Sequence, residues 1–433
     1  MLLSRPLFRH RRHWSLFRGL AACVLGCAAS ASAAPLQELI EQNKLMRAQL
    51  EAQQRQLDEL RVQMSVMRES ASAPREEGAP REETSGRRIA ISSEVGLSFF
   101  ASSNDGQYRN EEFRVDDANL RLEAQISRRT YFSGELQLSK HESSDENFHL
   151  GEFYLEFEDV SGALGGPERL VNVRLGRVDV PFGEEYQNRD PLTNPLIAHS
   201  VSDVWGTDEG IELHGELGRV DYALAVLNGG SKISRDFNAD KSVALRVGFG
   251  VLPRLHVSAS AMRTGELNSA AEPLSEIWIG NSFFRNIGSA RSTTHEAEMA
   301  EIDARYTWSS GHLWAAGGRA RYRDNDPVAD NTRRFTYFQI EGVQSLWGNF
   351  YGALRYSSLR ADRGYPLAGI GNFKKYFFSS LQTRELERLS LGGGYRFNPS
   401  LLIKVNYTLE QGELTTDTDR DNRMFAAQAA VGF

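Results

Sequence analysis

The sequence predicts an all-β protein: a 16-stranded antiparallel transmembrane β-barrel preceded by a short N-terminal α-helical coiled coil. Three observations carry the prediction. From residue 89 onward, segments of about ten residues alternate apolar and polar positions, the period of a strand with two unlike faces. Clusters of Gly, Asn, Asp, Ser and Pro separate these segments, and the connections between them are long and tight in turn. Finally, 40% of residues are apolar, 25% are charged and the mean hydropathy is −0.44. No stretch approaches the roughly 20 consecutive apolar residues that a helical span requires.

The alternation is clearest in 120–126, 153–157, 171–175 and 401–409. Sixteen strands are expected to start near residues 91, 114, 131, 149, 169, 208, 220, 241, 253, 297, 311, 334, 348, 385, 400 and 423. Long connections follow the odd strands, at 102–113, 141–148, 179–207, 229–240, 264–296, 323–333, 359–384 and 412–422. Most connections after even strands are tight, as at 127–130, 217–219, 252–253, 346–349 and 397–400. Short turns at one rim and long loops at the other are the signature of an outer-membrane barrel. An even strand count returns both ends of the barrel to one side, and the last strand must pair with the first.

The final strand fits closure. Phe425, Ala427, Ala429, Val431 and Phe433 form one apolar column, expected to face lipid with Phe425 and Phe433 near the two interfacial girdles. A closed barrel has no free edge, so a strand at the terminus exposes no unpaired ladder. A terminal aromatic after alternating apolar residues also resembles the signal that outer-membrane assembly machinery reads.

Residues 1–33 read as a signal peptide. Arg5, Arg9, Arg11, Arg12 and Arg18 precede a short apolar run from Gly19, and Ala31-Ser32-Ala33 supplies the cleavage site. Val24-Leu25-Gly26-Cys27 loosely resembles a lipobox, leaving lipidation of Cys27 as a competing fate. Cys23 and Cys27 are the only cysteines, so cleavage after Ala33 leaves neither disulfide nor thiol chemistry. Export of this kind places the barrel in the bacterial outer membrane and the segment before it in the periplasm.

Residues 34–68 carry heptads. Leu36, Asn43, Leu50, Leu57 and Met64 occupy position a, and Leu39, Met46, Gln53, Leu60 and Met67 occupy d. The pattern predicts a coiled coil about 45–50 Å long, with Asn43 and Gln53 setting register or oligomer state. A lone amphipathic helix on another surface is the alternative. Residues 69–88, with the imperfect Ala-Pro-Arg-Glu-Glu repeat, form a charged linker too poor in apolar residues to fold.

If the apolar faces meet lipid, the alternate residues line a pore. An acidic wall of Glu123, Glu135, Glu152, Glu156 and Glu212 is expected, with Arg121, Arg174 and His214 among it. A basic wall of Arg246, Arg305, Arg319, Arg321, Arg355, Arg388, Arg396 and Lys404 is expected opposite, accompanied by Glu301, Asp303, Glu341 and Glu410. Residues 89–240 sum to −15 and residues 241–433 to +4. Such a transverse field orients polar solutes and sets ion preference in a water-filled channel. An interior that is simply charged and solvated is the plainer reading.

The third long connection mixes Pro191 and Pro195 with Leu192, Leu196 and Ile197, more apolar content than a solvated loop needs. It is expected to fold into the pore as a constriction through Pro181, Phe182, Arg189, Asp190 and Leu196, or as a packing plug. Its opening, Gly176-Arg-Val-Asp-Val-Pro-Phe-Gly-Glu-Glu185, resembles the GRxxxPFGxE segment of the phosphate-selective porin O and P family. Residues 210–215, 222–229 and 240–247 resemble the strands that follow in that family, in order and spacing. The resemblance is strongest over about 113–250 and implies a homotrimer of sixteen-stranded barrels, with the coiled coil as a trimerisation or wall-proximal element. It further implies passive diffusion of small hydrophilic solutes, favouring anions such as phosphate. One departure stands out: the barrel has only six lysines, Lys140, Lys232, Lys241, Lys374, Lys375 and Lys404, and its net charge is −11.

Other signals lead nowhere. Asp236-x-Asn238-x-Asp240, Asp324-Asn-Asp326 and Asp417-x-Asp419-x-Asp421 space acids like calcium ligands, yet lack the Gly and Glu a calcium loop requires. His295-Glu-Ala-Glu-Met299 begins like a zinc-protease helix without its second histidine, and His141 and His149 lack ligand spacing. No G-x-S-x-G, phosphate-cradling loop or basic nucleic-acid face occurs. The expectation is therefore a non-enzyme without metal or cofactor, meeting small solutes, outer-membrane lipid and lipopolysaccharide. An interaction protein that tethers the envelope through its coiled coil, with the barrel as anchor, is the alternative.

Overall fold

The structure is a computed structural model that describes residues 88–103, 108–139, 149–229, 236, 239–268, 278–279, 282–283, 291–365, 383–416 and 419–433. The expected signal peptide, coiled coil and nearly all of the linker lie outside the described residues, as do His141 and Asp417.

Sixteen long strands occur in the expected order: β1 Ile89–Ser102, β2 Glu112–Ser127, β3 Thr130–Ser139, β4 His149–Phe157, β5 Asn172–Asp179, β6 Thr207–Leu217, β7 Val220–Leu227, β8 Ser242–Leu252, β9 Leu255–Arg263, β10 Thr294–Trp308, β11 Gly311–Asp324, β12 Arg333–Ser345, β13 Phe350–Tyr365, β14 Thr383–Asn398, β15 Leu401–Leu414 and β16 Asp419–Gly432. Each pairs antiparallel with its sequence neighbours. β1 also pairs with β16, from Glu94 opposite Gly432 to Ser102 opposite Met424, so the sheet closes into a barrel. Beyond β16, Ser93 and Phe433 exchange two backbone hydrogen bonds of 3.1 Å, which satisfies the last residue of the chain. Leu267–Asn268 extends the ladder onto β10, and Val204–Trp205, Trp278–Ile279 and Ser282–Phe283 form a small separate sheet.

β15 shows how the faces divide. Ile403, Val405, Tyr407 and Leu409 are 39–48% exposed, whereas Leu402, Lys404, Asn406, Thr408 and Glu410 are at most 1% exposed. The apolar set looks outward and the mixed set inward, the arrangement of a barrel surrounded by lipid. At the tight-turn rim, Trp347, Phe350, Tyr395 and Phe397 follow one another with ring centroids 4.6–5.4 Å apart. Amphipathic rings in that position match an interfacial girdle.

Two connections differ from expectation. β13 runs to Tyr365 and β15 to Leu414, where loops were expected at 359–384 and 412–422. Outward ion pairs, Arg360 to Glu385 at 2.7 Å and Arg384 to Glu413 at 2.8 Å, extend the ladder in residues whose charge reads as loop. The connection 158–171 is not tight. It holds a helical turn, α1 Val160–Ala163, capped by Asp159 at φ 51°, whose carboxylate accepts from the amides of Arg169 at 2.8 Å and Gly162 at 3.0 Å. Those amides, Arg169 first, with Arg129 nearby, hold the carboxyl below its usual range.

The simple rule of apolar out and polar in breaks at the long-connection end. There Phe182, Val201, Met299, Tyr322, Phe335 and Leu386 belong to a buried apolar cluster inside the barrel. Trp314, Ala316, Ala320 and Tyr322 on β11 are buried on its inner face. Period-2 alternation therefore turns Arg319 and Arg321 outward, and these two are removed from the predicted basic wall.

Candidate functional site

The connection 180–206 folds into the lumen because its apolar residues find apolar wall. Val180, Pro181, Phe182, Leu196, Ile197 and Val201 are all buried. Gly183 follows Phe182 with φ 72°, and a Cβ there would lie 2.6 Å from the Glu301 carboxylate, so only glycine passes. Its amide donates to Ser260 Oγ at 3.0 Å on β9.

From that point the segment crosses to the opposite wall. Leu192 N donates to the Glu94 carboxylate on β1. Lys404 Nζ on β15 donates to the carbonyls of Pro191, Asn194 and Leu196 at 2.7, 2.8 and 2.9 Å. Asn406 Oδ1 accepts from Ile197 N at 3.1 Å. Arg355 on β13 donates to Ala198 O at 2.7 Å and Asn194 Oδ1 at 3.1 Å, while its Nε holds Glu341 at 2.8 Å. Arg388 on β14 donates to His199 O at 2.8 Å and Glu410 at 2.6 Å. Arg396 donates to Leu192 O at 2.9 Å, and Tyr351 to Pro195 O at 2.9 Å.

Six of the eight expected basic-wall residues thus engage this loop. Arg355, Arg388 and Lys404 are nearly or fully buried, and with Arg396 they bind loop carbonyls. Arg246 instead grips the loop acid Glu184 at 2.6 Å and Asp221 at 2.9 Å. Arg305 lies 3.5 Å from Glu184 and over the Trp314 ring at 5.8 Å. Polar groups buried without partners are costly, and these contacts satisfy the loop backbone inside the barrel. Glu185 accepts from Ser200 Oγ within the loop at 2.6 Å and from Gln339 on β12 at 2.8 Å.

The acidic wall is partly engaged as well. Arg121 meets Glu135 at 2.6 Å, and Arg174 bridges Glu156 at 3.3 Å and Glu212 at 3.2 Å, with His214 3.0 Å from Glu156. Glu123 shares this face of β2 but is exposed. Between this wall and the loop remains a cleft of about 110 Å³. Asp117, Glu135, Glu152, Asp179 and Asp190 line it with Arg121, Arg189 and His199. Carboxylates outnumber guanidiniums five to two there. Arg189 also pairs with Asp203, which His199 Nδ1 meets at 3.0 Å. The expected constriction residues therefore divide: Pro181, Phe182 and Leu196 pack against wall, and Arg189 and Asp190 reach the cleft.

Sequence reasoning missed Glu184, Glu185, Asn194, Asn406 and the inward glycines. A Cβ on Gly392 would sit 2.7 Å from Leu196 Cδ2, and one on Gly432 would sit 2.8 Å from Leu192 Cδ1. Glycine inside a strand marks close approach by another segment, and the run 392–394 carried that signal. His295 faces inward beside the Tyr322 ring at 5.8 Å, a packing position.

No family model matches the chain, and no curated protein matches it. Solved structures do share the fold. OmpT, an outer membrane protein of Vibrio cholerae, is 10% identical over 82% of this chain and 100% of that one, with TM-score 0.54. The anion-selective porin from Comamonas acidovorans is 9% identical over 80% and 100%, with TM-score 0.52. The outer membrane channel DcaP of Acinetobacter baumannii is 12% identical over 82% and 100%, with TM-score 0.50. At such identities the likeness establishes the barrel fold alone.

Proposed function

We propose that this chain is an outer-membrane porin through which small hydrophilic solutes diffuse passively. The observation that carries the reading is the connection 180–206, folded inside a closed barrel and clamped to β13–β15 so that a polar cleft is left along β2–β5. An interior segment anchored by this many buried cations narrows a lumen without closing off its polar side. The porin and the channel among the fold neighbours point the same way, as does the resemblance to the porin O and P family.

Ion preference follows from the lining that solutes meet. The resemblance favours anions such as phosphate, through lumenal basic groups. Here Arg355, Arg388, Arg396 and Lys404 already bind loop carbonyls, and Arg246 binds Glu184. The cleft carries an excess of carboxylates, so the channel is expected to favour cations. The signal peptide, the periplasmic coiled coil and a homotrimer remain parts of the proposal that rest on the sequence.

The test is a planar bilayer containing the purified full chain. Discrete conductance steps are expected. Their absence would refute the porin and turn attention to envelope tethering, for which deletion of residues 36–67 is the matching experiment.

A further inference from the structure

The two arginines displaced from the lumen have company outside. Arg319 and Arg321 on β11, Arg334 on β12 and Arg360 on β13 all point outward at the long-connection end. Register places Arg319, Thr336 and Arg360 in one row across the strands, and Arg321 beside Arg334 in the next. Neighbouring strands are about 4.8 Å apart and alternate residues about 6.8 Å apart, so the four guanidiniums share a patch roughly 10–15 Å wide. Together with Glu298 and Asp362 they line a shallow outer hollow of about 440 Å³. Exposed Ile302 on β10, Phe338 on β12 and Leu354 on β13 belong to the apolar belt beside the patch, nearer the tight turns.

Arginine at this height has three possible neighbours: water, another protein or a lipid headgroup. Among the described residues, Arg319, Arg321 and Arg334 have no ion-pair partner, and Arg321 Nε is enclosed without an acceptor. Of the outward acids at this level, Glu385 is paired with Arg360, Glu413 with Arg384 and Glu296 with Arg323, while Glu298 stands opposite Arg321 and Asp362 shares the hollow. A phosphate-bearing glycolipid in the adjoining leaflet supplies both missing parts, acyl chains for the belt and planar acceptors for the guanidinium forks.

We propose that this patch is a docking surface for the phosphorylated headgroup of lipopolysaccharide. The test uses the purified full chain in neutral detergent, so its readout is independent of whether the barrel conducts. The probes are intact lipopolysaccharide, the same lipid stripped of phosphate, and inorganic phosphate. The triple variant Arg319→Ser, Arg321→Ser, Arg334→Ser is compared with the parent by equilibrium binding and by oligomeric state. Intact lipid is expected to bind the parent on the order of 100-fold more tightly than the variant, given the contribution of each basic residue at an anionic surface. Dephosphorylated lipid is expected to bind the parent as weakly as intact lipid binds the variant. Millimolar inorganic phosphate is expected to leave the bound lipid in place. Equal binding of the intact and stripped lipids by the parent would overturn the proposal even if the variant failed to fold. Displacement of the lipid by free phosphate would overturn it in favour of a simple anion site. A change of oligomeric state without a change in lipid affinity would assign the patch to a subunit contact instead.

Discussion

Lys404 Nζ on β15 lies 2.9 Å from the carbonyl oxygen of Leu196, 208 residues earlier in the chain. The same ammonium holds the carbonyls of Pro191 and Asn194, and its side chain is 1% exposed. One cation thereby fixes three carbonyls of an interior loop that has no ladder of its own. Lys404→Met keeps the stem and removes the donor, leaving three buried carbonyls short of a partner. It is expected to destabilise the loop by about 1–3 kcal/mol. In single-channel recordings the variant should show larger and noisier current steps than the parent.

Arg388 and Glu410 are 2.6 Å apart and almost wholly buried. Removing one member strands the other's charge, so Arg388→Leu should cost about 3–5 kcal/mol. The double variant Arg388→Leu, Glu410→Leu should recover much of that loss but not the bond to His199 O. Heat-induced unfolding in detergent of the parent, both single variants and the double variant measures the coupling directly.

Neutralising the cleft should shift selectivity without altering the fold. At about 8 Å in water a unit charge is worth roughly 0.5 kcal/mol, or about a factor of two in ion occupancy. The triple variant Glu135→Gln, Glu152→Gln, Asp190→Asn should therefore lower the ratio of potassium to chloride permeability by about eightfold. Bi-ionic potentials would show it, while conductance in symmetric concentrated salt should change little because the charges are screened.

Asp159 gives the turn in the 158–171 connection a pH dependence. Its carboxyl sits below the usual carboxylate range, chiefly through the Arg169 amide. A depressed folded value contributes stability that is present above the ordinary value of about 3.9 and is lost as pH falls through the folded one. The Gly162 and Arg169 amide resonances should thus hold steady near neutrality and move only below about pH 4. In Asp159→Asn, which keeps an acceptor but cannot titrate, they should not move with pH.

The fold was legible because a barrel repeats one simple rule sixteen times. Alternation in β15 and the rhythm of connections place strands even where single segments are ambiguous. The site was legible only in outline. Composition marked 179–207 as an interior segment, yet a sequence cannot show that Arg355, Arg388 and Lys404 point at loop carbonyls rather than at water. The same loop explains the error at Arg319 and Arg321: an apolar segment inside the barrel recruits an apolar inner wall, and β11 answers with Trp314 and Tyr322 facing in. Inward Gly392 and Gly432 make room for Leu196 and Leu192, a role invisible without the partner segment.

The central claim is that the loop engages the basic wall and leaves solutes an acidic passage. Its most direct test is the reversal potential of the unmodified protein in a planar bilayer under a potassium chloride gradient. The account predicts a potential of the sign set by potassium, showing cation preference. A potential set by chloride would contradict it and would mean that the buried arginines and Lys404 still govern what passes.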